Sequence, residues 1–204
     1  HMVGSGYTDP ASLTVFNNEL YFRAYDATNG YELWKSDGTT SGTGMVADIN
    51  PFGHSYPFYL TVFNNELYFH ANGGTNGYEL WRYDGINAPS MVADINPGSS
   101  SSIPEYLIVF NNELYFRAND GTNGDELWKY DGINAPSMVA DMSPDDSNPS
   151  YLTVFNNELY FRAQYGTTNE YELWKYDGIN APSMVPNINP SGNSNPSYLS
   201  VFNN

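Results

Sequence analysis

Val15-Phe16-Asn17-Asn18-Glu19-Leu20-Tyr21-Phe22-Arg23-Ala24 reads as two strands and the turn between them. Leu20, Phe22 and Ala24 alternate with Glu19, Tyr21 and Arg23, the period of two that places one set on each face of a strand. Leu13-Thr14-Val15-Phe16 leads into Asn17-Asn18, and Asn adopts positive φ more readily than other residues with a Cβ, so the pair suits a two-residue hairpin turn. Downstream, a turn runs from Tyr25 to Gly30, a third strand from Tyr31 to Ser36, a second turn opens at Asp37-Gly38, and a fourth strand covers Met45 to Ile49.

The string recurs. Val62, Val109, Val154 and Val201 again begin Val-Phe-Asn-Asn, at successive separations of 47, 47, 45 and 47 residues from Val15, and Glu-Leu-Trp recurs at Glu32, Glu79, Glu126 and Glu172. A period of this length marks one supersecondary unit whose apolar face is covered by the next copy. The connection after the fourth strand, Asn50–Pro57 and its equivalents Asn96–Glu105, Ser143–Pro149 and Asn189–Pro196, is the longest and richest in Gly, Pro and Ser. It suits a crossing from the outer edge of one sheet to the inner edge of the next. The expected fold is all-β, a β-propeller with four four-stranded blades per chain. A β-solenoid is the second choice, because its rungs are usually shorter than this repeat. The copies fall at residues 7–54, 55–101, 102–146 and 147–193, with an extra strand at 198–204. The opening His1-Met2-Val3-Gly4-Ser5-Gly6 reads as an expression-tag remnant.

That extra strand repeats the one at Ser12–Asn18, and both would pair with Glu19–Ala24. Two outcomes follow: a self-closed four-bladed ring, or an open arc that completes an eight-bladed ring as a homodimer, since unpaired edges and uncovered blade faces drive association. The second is the favoured expectation.

Aromatic residues make up 16% of the 204, with 18 Tyr, 11 Phe and 4 Trp, a composition that favours pleated surfaces. A net charge of −16 excludes the cationic surface that nucleic acid requires and disfavours anionic membranes. Without cysteine there is neither a disulfide framework nor a thiolate site. No apolar run approaches the roughly 20 residues of a membrane-inserted helix.

Trp34, Trp81, Trp128 and Trp174 recur at one position of the third strand and are expected to pack between blades. Tyr83, Tyr130 and Tyr176, beside the Asp-Gly turn, are expected to reach the surface and contact a ligand, a sugar ring being the natural partner. Asp120, Asn123 and Asp125 form the most oxygen-rich turn and are the candidate calcium ligands, although Asn and Asp also close such turns with their own backbone. Repeated Glu and Asp residues do not suggest catalysis, because an acid and a base need unlike environments and a repeat supplies like ones. Catalysis would appear as a break in the repeat. The breaks are His54, His70, Arg82 and Asp145-Asp146, which assemble no triad; His70 stands where Arg23, Arg117 and Arg162 recur and suits an exposed or channel-facing position.

Glu-Leu-Trp-Lys-Ser-Asp-Gly-Thr at Glu32–Thr39, with Asn-Gly before it and Ala-Asp-Ile-Asn-Pro after it, resembles the ELWxxDGT repeat of bacterial surface and secreted proteins. Later copies depart from it, reading Asp-Gly-Ile followed by Asn-Ala-Pro-Ser. The resemblance implies a propeller-like architecture and a secreted or cell-surface setting, and no particular ligand. Together these readings lead to the expectation of a non-enzymatic module for recognition or scaffolding, with multivalent glycan binding as its use. A purely structural fragment or an engineered self-assembling repeat is the alternative.

Overall fold

A computed structural model of the chain describes residues 9–166, 170–186 and 188–202. Residues 1–6, expected to be a tag remnant, and Asn203-Asn204, the end of the expected strand at 198–204, lie outside the described residues. The described chain forms sixteen strands in four antiparallel sheets, each a simple meander. The first sheet holds β1 (Ala11–Phe16), β2 (Glu19–Asp26), β3 (Gly30–Ser36) and β4 (Gly44–Ala47). The second holds β5 (Phe58–Phe63), β6 (Glu66–Asn72), β7 (Tyr78–Tyr83) and β8 (Ser90–Ala93). The third is β9 (Glu105–Phe110), β10 (Glu113–Asn119), β11 (Asp125–Tyr130) and β12 (Ser137–Ala140). The fourth is β13 (Ser150–Phe155), β14 (Glu158–Tyr165), β15 (Glu170–Tyr176) and β16 (Ser183–Met184). Contacts cluster into two units, His1–Pro104 with the first two sheets and Glu105–Asn204 with the last two.

Local chemistry explains each hairpin. Asn17 and Asn18 have φ of 48° and 63°, and the other three Asn pairs match them, as a turn with two left-handed central residues demands. One strand expected from sequence is missing. Residues 198–202 form no strand; β2 pairs with β1 alone on that side, and no second strand for 198–202 lies among the described residues.

Both faces of each sheet are apolar. In the first unit, Leu60, Leu67, Phe69 and Ala71 on one face of the second sheet pack against Phe16, Tyr21 and Leu33 of the first and Ile49 just beyond β4. In the second unit, Leu159, Phe161, Ala163 and Trp174 pack in the same way against Phe110, Tyr115 and Leu127. Each fully buried Phe or Leu in these layers contributes about 1.5–3 kcal/mol. Tyr21, which alternation alone assigns to a polar face, is buried as well; its hydroxyl donates to Glu19 at 3.0 Å, and Tyr68, Tyr115 and Tyr160 repeat the bond with Glu66, Glu113 and Glu158.

A buried carboxylate fastens each long crossover. Glu32 accepts the backbone N–H groups of Ile49 and Ser55, both at 3.0 Å, and the Ser55 hydroxyl lies 2.6 Å away. Glu79 with Ile95 and Ser102, and Glu126 with Met142 and Ser147, repeat the arrangement, and Glu172 holds Ser194. Without these acceptors the crossover would bury unsatisfied N–H groups.

Candidate functional site

The four crossovers place four different side chains at one hydrogen-bonding position. The backbone N–H that opens the third strand needs an acceptor from the crossover, and Ser101 Oγ, Asp146 Oδ1 and Asn193 Oδ1 supply it to Tyr78, Asp125 and Tyr171 at 3.0, 2.8 and 3.0 Å. In the first sheet the acceptor is His54 Nδ1, 3.1 Å from the Tyr31 nitrogen. Accepting at Nδ1 leaves Nε2 to carry the proton of the neutral ring. The imidazole sits among Tyr25, Tyr31 and Tyr56, with ring centroids 6.1, 5.6 and 5.1 Å away.

Beside His54 lies a pocket of about 300 Å³, lined among others by Tyr25, Asn29, Asp48, Asn50 and Phe52. Two neighbours are committed to holding its walls. Asp26 accepts the N–H groups of Thr28 and Asn29 and the Asn29 amide, while Asn50 donates to the His54 carbonyl at 2.9 Å and accepts the Phe52 N–H at 3.1 Å. In the second sheet the equivalent Asn76 instead donates to Asp94, the counterpart of Asp48. Because Asn29 turns to Asp26, the exposed Asp48 carboxylate keeps its acceptor capacity for the pocket. Phe52 is 83% exposed at the rim. A hydrogen-bond acceptor, polar loop atoms and a bare aromatic face therefore meet at one place.

The residues singled out from sequence fall elsewhere. Tyr83, Tyr130 and Tyr176 do not reach the surface: they are 5–6% exposed, and Tyr83 and Tyr176 pack 5.9 Å from Tyr21 and Tyr115. Proximity to a turn misled here, because each ring follows the alternation of its strand into the layer between sheets. Asp120 turns its carboxylate inward on its own loop, accepting Thr122 N–H and Asn123 N–H at 2.8 Å and the Asn123 amide at 2.7 Å. Burial pushes its pKa up, yet these three donors pull harder and hold it below the ordinary value. Asp125 instead takes the Asn119 amide at 2.9 Å and faces Arg117 at 3.7 Å. Among the described residues no three acidic or histidine side chains are grouped to hold a metal. Trp81 and Trp174 pack in the layers between sheets.

His70 is buried rather than exposed, packed against Phe58, Tyr59 and Tyr78. Burial drives its pKa down to about 4 against the opposing pull of the Pro104 carbonyl, 3.2 Å from Nδ1, so the ring is neutral and donates there. Where Arg stands at this position, the guanidinium covers aromatic faces instead: Arg23 lies 4.0 Å over Phe58, and Arg162 4.2 Å over Tyr171. Arg82 pairs with Glu66 at 3.6 Å, as Lys35 does with Glu19, so this break in sequence is none in structure. Burial raises Glu32 and Glu126 to about 7, values suited to an acid catalyst, but both are sealed from solvent and hold crossovers. Their perturbation is structural. The pocket residues Asp48 and Phe52 were not picked out from sequence; registering the crossovers on Ser55, Ser102, Ser147 and Ser194 would have shown that the preceding residue, His54 in the first, differs in every copy.

No known protein-family model matches the chain, and no curated protein resembles it in sequence. Solved structures do resemble it. A puromycin hydrolase superposes with a TM-score of 0.63 at 12% identity, over 91% of this chain and 30% of that one. The β-propeller domain of the Trilobed protease from Pyrococcus furiosus gives 0.56 at 11% identity, over 88% of this chain and 55% of that one. A weaker likeness, at 0.45 and 12% identity over 87% and 68%, is to a family 117 glycoside hydrolase from Zobellia galactanivorans. The chain thus spans about a third and about half of the first two. The first two likenesses correct the expectation of a non-enzymatic recognition or scaffold module. The fold occurs in a hydrolase and in the propeller domain of a protease, so neither repetition nor fold is ground for excluding catalysis. What they establish is architecture: the chain has the β-propeller fold, with four four-stranded blades.

Proposed function

We propose that the chain takes part in the hydrolysis of a carbohydrate and that the pocket beside His54 is its sugar-binding subsite. The observation that carries this reading is the hollow beside His54, lined by the exposed Asp48 carboxylate, with Phe52 bare at its rim. A pyranose or furanose offers hydroxyls to the Asp48 carboxylate and the His54 Nε2–H, and an apolar C–H face to Phe52. The volume, about 300 Å³, is at the small end for ligand sites and suits one or two sugar units. Asp48 is the group placed to take a proton from water or a hydroxyl. The resemblance to the ELWxxDGT repeat supports a secreted or cell-surface setting, where polymeric sugars are met.

Titration with a panel of pentose and hexose oligosaccharides, followed by NMR of the His54 ring, tests the binding. Ring signals of His54 are expected to shift with one class of sugar and to stay still in Phe52→Ala. His54→Ser keeps the acceptor that Ser101 supplies in the second copy, so it should fold normally and bind more weakly. Still signals with every sugar would overturn the reading. Release of reducing ends from a sugar that binds tests the hydrolytic half, and binding without cleavage would overturn that half alone.

A further inference from the structure

Asp48 is the one charged side chain among the described residues that line the pocket beside His54. Its carboxylate is exposed, and no Lys or Arg of the chain is turned toward it. Six of the seven Lys and Arg pair with other carboxylates, Arg23 with Asp9 and Lys35 with Glu19 among them, and the seventh, Arg162, lies over Tyr171. Asp26, on the same wall, is already answered by the N–H groups of Thr28 and Asn29 and by the Asn29 amide. Asp48 thus brings a full negative charge to the hollow, and the chain leaves it unbalanced.

Phe52 is the second feature peculiar to this crossover. The corresponding stretches at 96–102, 143–147 and 189–194 carry no aromatic residue, so the ring meets no need of the repeat. At 83% exposed it adds little to the core either. It is nevertheless held in place. Asn50 Oδ1 accepts the Phe52 N–H at 3.1 Å, and the Gly53 N–H donates to the Asn50 carbonyl at 3.0 Å. The turn between β6 and β7 backs the ring so closely that a Cβ on Gly74 would stand 3.0 Å from Phe52 Cδ2. An unbalanced carboxylate and a fixed aromatic face together favour a cation, because the π face of a ring is negative as well. The net charge of −16 draws cations to the chain and repels anions.

We infer that the ligand of this pocket is an amino sugar, with its ammonium group on Asp48 and its C–H face on Phe52. The His54 Nε2–H donates to one of its hydroxyls. A neutral sugar gains only hydrogen bonds at the same place. A uronic acid sets carboxylate against carboxylate, with no Lys or Arg in the lining to relieve them. This inference rests on the reading of the pocket as a sugar subsite and adds the class of sugar.

NMR titration of the His54 ring with glucose, N-acetylglucosamine, glucosamine and glucuronic acid, below the pKa of the sugar amine, reads the outcome. Glucosamine is expected to bind about fivefold or more tighter than glucose or N-acetylglucosamine, the size of one partly exposed ion pair beside an aromatic face. Glucuronic acid should bind most weakly, and added salt should shrink the preference for the amine. Asp48→Asn alters an exposed side chain, so it should keep the melting curve of the wild type and erase the difference between glucosamine and glucose. Equal binding of glucose and glucosamine, or a preference that survives Asp48→Asn, would overturn the inference and leave the sugar subsite standing. Ethanolamine binding as tightly as glucosamine would overturn it too, since the pocket would then read charge without the ring. Ring signals that stay still with every sugar would bring down the subsite itself, and the class of sugar with it.

Discussion

Replacing Glu126 by Gln should flatten the dependence of stability on pH, and the structure supplies the size of the effect. Glu126 faces the N–H groups of Met142 and Ser147 at 3.2 and 3.1 Å and the Ser147 hydroxyl at 2.7 Å. That hydroxyl has one proton and two acceptors, since the Asp125 carbonyl also lies 3.1 Å away. A protonated Glu126 solves the conflict by donating to Ser147, which then donates to the carbonyl. Burial is the larger influence: it outweighs the three donors and raises the pKa from 4.5 to about 7. The folded state therefore holds this proton more tightly than the unfolded chain does. Its stabilising contribution is complete below the unfolded value and is lost as pH rises through the folded one. Between about pH 5 and about pH 8, linkage gives a loss of about 2.5 kcal/mol from this residue. Gln stays neutral throughout: its carbonyl in place of Oε1 accepts the Ser147 N–H, its amide in place of Oε2 donates to the Ser147 hydroxyl, and the Met142 N–H loses its acceptor, a cost that does not change with pH and so cancels between the two pH values. Urea unfolding of both proteins at the two pH values isolates the effect, because every other titrating group cancels in the comparison. The Gln variant should lose about 2.5 kcal/mol less than wild type. Parallel losses, within about 0.5 kcal/mol, would refute the reasoning and leave Glu126 as an ordinary ionised cap.

His70 should remain neutral until pH falls towards about 4, and its stabilising neutral state should be lost from 6.5 downward; a ring that titrates near 6.5 by NMR would contradict its burial. Phe161→Ala empties a fully buried site in the second unit and should cost about 3–5 kcal/mol in urea unfolding. Gly178→Ala forces a side chain onto φ of 87° and brings its Cβ within 2.6 Å of the Asn111 amide, so a loss of about 1 kcal/mol or more is expected, whereas Gly44→Ala, with open space, should be nearly neutral.

How far these results were written in the chain is clearest from particular residues. The Asn-Asn pairs were legible because a two-residue hairpin needs left-handed backbone at both positions, and that demand is local. The four-strand period was legible for a similar reason: alternation and turn chemistry act over a few residues and are repeated. Which face of a strand each side chain serves was also set locally, but its exposure was not. Tyr83, Tyr130 and Tyr176 sit beside a turn in sequence and inside a packed layer in space, and only the neighbouring sheet decides that. The role of Glu32 and its equivalents depends on N–H groups 16 to 23 residues away, brought near by the crossover. His54 was visible as a break in the repeat, but its ring became part of a pocket only because Asn29 turned to Asp26 and freed Asp48. Sequence thus determined the strands, the turns and their repetition, since hydrogen-bond geometry and backbone sterics are satisfied within a few residues. Burial and the shifted protons of the carboxylates were decided by tertiary structure, because desolvation depends on what a distant stretch of chain happens to cover.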